Sequence, residues 1–292
     1  MLVATKELLR IAEAENKAVG AFNVTGIATL QAVIEAAEEL NEPVIIEFAT
    51  AHEEAGVMTL DFIGPLMVAV AKNAKVPVAV HLDHGVEIQY VEKALKMGFT
   101  SIMYDGSALP YEENVANTIM AVKLARQYGA SVEAEIGKMA GHTLNNDGVL
   151  ENRAVERKDF TDPKQAKDFV QKTNVDCLAC SFGTSHGLYT SAPKLDIELI
   201  KELHEAIQIP IVMHGGSGVS NEDYGKAIDA GVKKVNYYSY MAKAGGEKVR
   251  EEMPQDGAVF FHDLATIAMK AMKENAKEAI TLFKNKDKKV TK

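Results

Sequence analysis

Residues 76–85 read VPVAVHLDHG. The run Val76–Val80 is short, apolar and rich in β-branched residues, the composition of a strand buried on both faces. It continues directly into His81, Asp83 and His84 and stops at Gly85. Titratable side chains therefore crowd the end of a buried strand. Parallel α/β folds give a reason for this, because their reactive groups gather at the carboxyl ends of the strands.

Reading outward, similar short runs recur along the chain. Strands are predicted at Val19–Asn23, Val44–Phe48, Val78–Leu82, Ser101–Tyr104, Ser131–Ile136, Cys177–Ser181, Ile211–Met213 and Lys233–Asn236. Segments of helical period lie near 29–40, 60–73, 87–97, 112–128, 163–173, 196–207, 221–230, 241–252 and 261–283. Eight strands alternating with helices require parallel pairing through crossovers. In 292 residues they predict a single-domain α/β chain folded as a (β/α)8 TIM barrel. A doubly wound open sheet is the structural alternative. The barrel domain is expected over 1–283, with a flexible basic tail, KNKDKKVTK, at 284–292. The polar segment 138–160 has little periodicity and is expected to be a functional or mobile loop.

Composition narrows the function classes. The formal net charge is -9 and no basic stripe is present, which argues against nucleic acid as a partner. The longest apolar stretch, 64–80, is broken by Lys72, Asn73 and Lys75, so no membrane span is expected. The N-terminus lacks the pattern of a signal peptide, and a cytoplasmic location is expected. Cys177 and Cys180 are spaced C-x-x-C, but on a strand positions i and i+3 point to opposite faces. They are read as two small buried residues.

The barrel reading makes a pattern that can be checked in the sequence. Strand three ends in His81, Asp83 and His84; strand four in Asp105; strand five carries Glu133 and Glu135. Strand six leads to GTSHG with His186, strand seven ends in HGGSG with His214, and strand eight ends in Asn236. Three separate strand ends carrying a histidine followed by glycine suit Zn2+, whose catalytic sites take three protein ligands and keep one position open. His84, His186 and His214 are the candidate ligands. His81, three residues before His84, is expected on the other face as a structural residue. The two glycine-rich segments can bring backbone N–H groups against a phosphate, with Ser217 adding a hydroxyl. No nucleotide-binding glycine motif is present. Zinc, phosphate and an adjacent carboxylate, Asp83, are the equipment for retro-aldol cleavage of a sugar phosphate. The alternative role for Asp83 is to orient a histidine.

Seven stretches carry a family resemblance: GAFNV (20–24), VPVAVHLDHG (76–85), SIMYDGSALPYEEN (101–114), VEAEIG (132–137), GTSHGLY (183–189), PIVMHGGSG (210–218) and KVNYYS (234–239). In this order the chain resembles the class II, zinc-dependent ketose-bisphosphate aldolases, the family of fructose- and tagatose-bisphosphate aldolases. The resemblance implies zinc on His84, His186 and His214, with Asp83 as the acid/base at the C4 oxygen. It implies an alternative or second metal site at Asp105 and Glu135. Gly187, Gly215, Ser217, Asn236 and Ser239 match positions around dihydroxyacetone phosphate. A monovalent cation, Na+ or K+, near the phosphate loops is common in the family, and a homodimer or homotetramer is usual.

The sequence departs from the family pattern at several positions. His142 and Thr143 stand where the family has carboxylates, one of which forms the enediolate. That base is expected from Glu151, with His142, or no base at all, as the alternatives. Thr190 stands at a usual lysine and Tyr238 at a usual aspartate, and Ala28 and Ala49 replace polar residues. All four are expected to face the substrate, which suggests a non-standard ketose phosphate. The competing readings are a class I aldolase with a Schiff-base lysine, another zinc barrel enzyme, and a catalytically altered sugar-phosphate-binding protein. Lys233 and Lys234 open strand eight and are expected at the wrong end of the barrel for the first of these.

Overall fold

The computed structural model describes residues 1–137, 157–254 and 256–285, together with the backbone of 142–144 and 150–152. In chain order the elements are α1 (Thr5–Ala14), β1 (Val19–Asn23), α2 (Ile27–Leu40), β2 (Val44–Ala49), α3 (Thr50–Glu54), α4 (Leu60–Asn73), β3 (Val78–Gly85), α5 (Ile88–Met97), β4 (Ser101–Tyr104), α6 (Tyr111–Gln127) and β5 (Ser131–Ile136). A short antiparallel pair follows, β6 (His142–Leu144) and β7 (Leu150–Asn152). The chain resumes with α7 (Pro163–Thr173), β8 (Cys177–Cys180), α8 (Ile197–Ile207), β9 (Ile211–Met213), α9 (Asn221–Ala230), β10 (Val232–Tyr237), α10 (Ser239–Glu252) and α11 (Phe261–Phe283).

Eight parallel strands close in the order β1-β10-β9-β8-β5-β4-β3-β2, so the fold is a single (β/α)8 barrel. The eight predicted strands are the eight staves. The segment expected to be an irregular loop instead contains the β6–β7 pair. Among the described residues no helix is long and apolar enough to cross a membrane. The predicted tail lies outside the described residues from 286 onward.

Strand parity organises the interior. Asn23, Glu47, His81, Ser101 and Ser131 are register neighbours and form one row around half of the barrel. Glu135, Ala179, Val212, Lys234 and Val19 continue a second row around the other half. Below the polar positions the inward residues are small and apolar: Val19, Ala21, Ile45 and Ala79 pack on Leu8 and Ala12 of α1. Leu9 of the same helix packs on Cys177, Ala179 and Val212. Thus α1 plugs the amino-terminal mouth, and charge is confined to the layers above it. Cys177 lies in this inner cluster while Cys180 belongs to the outer core, on opposite faces as the strand period requires.

Outside the barrel, the last helix ties the ends together. Phe283 is 1 % exposed, with its ring against Tyr224 and Tyr237 at centroid distances of 5.1 and 6.1 Å. Its carbonyl accepts from the Ala18 N–H at 2.9 Å, at the entrance to β1. Phe283→Ala removes a large ring from a closed site, so it is expected to cost about 3–5 kcal/mol. The urea midpoint of unfolding would fall accordingly.

Candidate active site

His84 reaches the mouth of the barrel through a backbone irregularity. Asp83 points inward by strand parity, so His84 ought to point outward into the helix layer. Instead the register between β3 and β4 shifts between Leu82 and Gly85, and His84 takes a left-handed φ of 52°. For a residue with a Cβ that conformation costs on the order of 1 kcal/mol or more. It places two neighbouring side chains on the same side. Gly85 is required next, because a Cβ there would lie 2.9 Å from the Met103 carbonyl of β4.

His84, His186 and His214 converge as predicted. Their ring centroids are 4.8–5.6 Å apart, and one nitrogen from each lies within 4.8 Å of the others. Hydrogen bonds assign the nitrogens. His84 Nδ1 faces Asp105 Oδ2 at 2.7 Å, and His214 Nε2 faces Glu133 Oε1 at 2.8 Å. If each carboxylate accepts an N–H, His84 Nε2 and His214 Nδ1 carry lone pairs, and these two atoms face one another at 3.1 Å. Two facing lone pairs repel unless a proton or a cation lies between them. A tetrahedral zinc with Zn–N near 2.0–2.1 Å would hold two nitrogens about 3.3 Å apart. The donor set and its spacing therefore fit zinc.

Electrostatics point the same way. Burial opposes a charged His84, yet the carboxylates of Asp83, Glu135 and Asp105 outweigh it and push its pKa up to about 10. Positive charge is favoured where the three imidazoles meet. His214 is driven the other way, by full burial and then by the nearby His84 charge. Glu135 also belongs to a second group, with His84 and Asp105, whose ligand atoms lie within 4.8 Å. Burial and the Asp105 charge raise Glu135 to about 8.

Asp83 is held at both oxygens. The Asn23 side-chain amide donates to Oδ2 at 3.0 Å and the Asn236 amide to Oδ1 at 3.2 Å. Burial works against its charge, but His84, His214 and Lys234 more than compensate, leaving its pKa at about 2. Asn236 Oδ1 is buried without a partner.

His84, His186 and Asp83 open into a cavity of about 450 Å3, which Gly187, Gly215, Ser217, Asn236 and Ser239 also line. Ser239 begins α10, so the first turn of that helix borders the cavity. Gly215 has φ of 62°, and a Cβ on it would lie 2.2 Å from the Ser185 carbonyl. The two glycine-rich segments are thus pressed together, and Tyr189 clamps them. Its hydroxyl accepts from the Ser185 N–H at 2.9 Å and donates to the Gly215 carbonyl at 2.8 Å. Ser217 Oγ accepts from the Tyr238 N–H at 2.9 Å, which ties the serine to the end of β10.

Several expectations need correction. His81 does not face away from the site. It points into the barrel below Asp83, with Nδ1 2.7 Å from Ser101 Oγ, because the irregularity at His84 breaks the alternation. Lys234 is not at a remote end. Its side chain is fully buried inside the barrel, with Nζ 2.8 Å from Glu133 Oε2 and 3.4 Å from Glu47 Oε2. Neighbouring carboxylates hold it as a cation against its burial, so it is no Schiff-base nucleophile. Ala49 and Tyr238 line the cavity, but Ala28 lines a separate apolar groove with Met58, Phe62 and Phe261. Thr190 is exposed and is not among the residues lining the cavity. Glu151 belongs to β7, opposite Thr143, but its side chain and that of His142 lie outside the described residues.

From the sequence Glu133 reads only as a strand-five carboxylate with no assigned role, Lys234 only as a misplaced Schiff-base candidate, and Tyr189 has no role at all. Period two could have flagged the first two, since Glu133 and Lys234 precede Glu135 and Asn236 by two positions on the same face. Tyr189 carries no comparable signal.

Comparison with known proteins agrees with this geometry. Residues 3–288 match the family model of class II fructose-bisphosphate aldolase. The chain is 38% identical to YdjI of Escherichia coli K12 over 273 residues, 93% of this chain and 94% of that protein. It is 35% identical to a fructose-bisphosphate aldolase of Staphylococcus aureus over 286 residues, 97% of each. The crystal structure of the YdjI aldolase superposes with a TM-score of 0.84, covering 97% of both chains. A putative fructose-1,6-bisphosphate aldolase from Coccidioides immitis gives 0.82 at 27% identity, covering 97% of this chain and 96% of its own. This barrel, with its convergent histidines, belongs to the class II fructose-bisphosphate aldolase family, whose members are metal-dependent aldehyde-lyases.

Proposed function

We propose that this chain reversibly cleaves a ketose phosphate to dihydroxyacetone phosphate and an aldehyde, with zinc held by His84 Nε2, His186 and His214 Nδ1. The observation that carries this reading is the pair of nitrogens facing each other at 3.1 Å beside the doubly anchored Asp83. Zinc at such a site supplies Lewis-acid polarisation of a carbonyl.

The phosphate would sit between the 215–218 turn and the first turn of α10, where Ser217 and backbone N–H groups can donate. Asp83, ionised and fixed, takes the proton from the hydroxyl on the carbon to be released. That oxygen's electrons form the aldehyde carbonyl as the C–C bond breaks. The bonding pair passes to the carbon of the phosphate-bearing fragment, which a second acid then protonates. Glu151 is the proposed donor for that proton. Asn236, with its unpaired Oδ1, accepts from a substrate hydroxyl.

The substrate would differ from a bisphosphate at its far end. Ala49, Ala51, His52 and Tyr238 also line the cavity, with the His52 and Tyr238 rings 4.8 Å apart. Among the described residues no lysine or arginine lines this cavity. Such a wall suits a hydroxylated or apolar end better than a second phosphate.

The decisive experiment is a panel of ketose 1-phosphates and 1,6-bisphosphates with and without zinc. Release of dihydroxyacetone phosphate from at least one 1-phosphate is expected, abolished by a chelator, restored by zinc and unaffected by borohydride. Exclusive preference for fructose 1,6-bisphosphate would overturn the substrate assignment; no triose phosphate from any member would overturn the reaction.

Two variants separate the roles. Asp83→Ala is expected to lower kcat by about 10²–10⁴-fold, the usual weight of one acid/base group, with bound zinc retained. Tyr189→Phe loses the bond to the Gly215 carbonyl and loosens the phosphate turn. It should raise KM for dihydroxyacetone phosphate in the condensation direction several-fold, with a smaller change in kcat.

A further inference from the structure

Beneath the three histidines lies a layer that the chemistry above does not use. Lys234, Glu133, Glu47 and His81 are all fully buried inside the barrel. Glu133 is the link between this layer and the site. Its Oε2 accepts from Lys234 Nζ at 2.8 Å, while its Oε1 accepts from His214 Nε2 at 2.8 Å. His81 Nε2 stands 3.7 Å from the same Oε2, too far for a hydrogen bond.

An ion pair in this position is poorly explained by stability. Desolvating two charges consumes most of their mutual attraction, and apolar residues of similar volume often serve a core equally well. The geometry suggests another use. His214 follows a strand of only three residues and precedes Gly215, whose φ is positive, so no regular strand pairing sets the ring's orientation. Glu133 fixes both the ring plane and the tautomer, turning Nδ1 toward His84 Nε2. A carboxylate with one oxygen on the imidazole is itself free to swing unless its other oxygen is tied. Lys234 ties it, reaching across the barrel from β10 to β5.

We propose that the Lys234–Glu133 ion pair is a positioning element for the metal, acting through the orientation and tautomer of His214. Lys234 touches neither substrate nor metal. The proposal rests on the reading of His84, His186 and His214 as the metal ligands. It predicts that the ion pair governs zinc affinity as distinct from the stability of the barrel.

The test is zinc affinity of the folded full-length chain, read by competition with a chromogenic chelator, alongside the visible spectrum of the cobalt-loaded protein. Partners of metal-bound histidines typically contribute 10–100-fold in affinity. Lys234→Met is expected to weaken zinc binding by at least 10-fold and to alter the cobalt bands. Lys233→Met is the control: that lysine bonds Asn16 and the Ile228 carbonyl on the other face and should leave both readouts unchanged. Should Lys234→Met not fold, the double variant Glu133→Gln/Lys234→Met removes the two charges together and serves in its place, with the same loss expected. Wild-type affinity and an unchanged cobalt spectrum in a folded variant would overturn the proposal, even with a lowered melting temperature. If His84→Ala leaves the wild-type zinc affinity intact, the ligand assignment itself fails, which is a separate result.

Discussion

Charge balance inside a closed barrel is the constraint on which the rest of this structure depends. Glu47, Asp83, Glu133 and Glu135 are each less than a tenth exposed, and Asp105 joins them at the rim. Against them the described interior offers one lysine, Lys234. Buried charge without compensation is among the most costly features a fold can carry. Two carboxyls relieve part of it by their raised pKa values, about 8 for both Glu47 and Glu135. Asp83 and Asp105 are instead held ionised, mainly by His84 among the charges around them. The arrangement favours positive charge where the imidazoles converge, and a divalent ion would supply it in place of a proton on His84.

The need for inward charge also explains why α1 closes the opposite end. Water entering from below would screen the Lys234–Glu133 pair and weaken it. Leu8, Leu9 and Ala12 seal that end against residues of five strands. The barrel thus divides along its axis into an apolar base, an ionic layer and an open mouth. Each layer is one or two residues deep, because successive inward positions on a strand are two residues apart.

Much of this was legible in the sequence. Short runs of three to six residues between helical segments marked all eight staves, since a strand covered on both faces must be apolar on its outer side whatever it carries inside. The three histidines could be chosen because each ended or closely followed a stave and preceded a glycine. What failed was the assumption of strict alternation at the end of β3. A left-handed residue resets which face its neighbours use, and histidine in that conformation leaves no mark in composition. The same alternation, applied one layer down, puts Glu133 on the face of Glu135 and Lys234 on the face of Asn236, inside the barrel. Charged residues within a predicted buried strand read as exceptions until a partner across the barrel is known. Tyr189 illustrates the other limit: its clamp joins segments 26 residues apart through backbone groups, which no side-chain pattern encodes.

The departures from the family pattern fall unevenly over the site, and their distribution has a physical reason. Side chains on the staves are fixed by parity and by the ionic layer, so changing one disturbs several partners. Asp83 is bonded to both β1 and β10, and His214 to β5. Ala49 and Tyr238, by contrast, sit where staves give way to α3 and α10, and their side chains face the cavity with fewer obligations. In the proposed function, substitution there would alter the shape and polarity offered to the leaving aldehyde without moving Asp83 or the histidines. Ala28, which lines a different groove, drops out of that comparison. Barrel side chains bonded to several staves and cavity-rim side chains with few bonds thus belong to different layers, so the rim can change without disturbing the layer that positions Asp83 and the histidines.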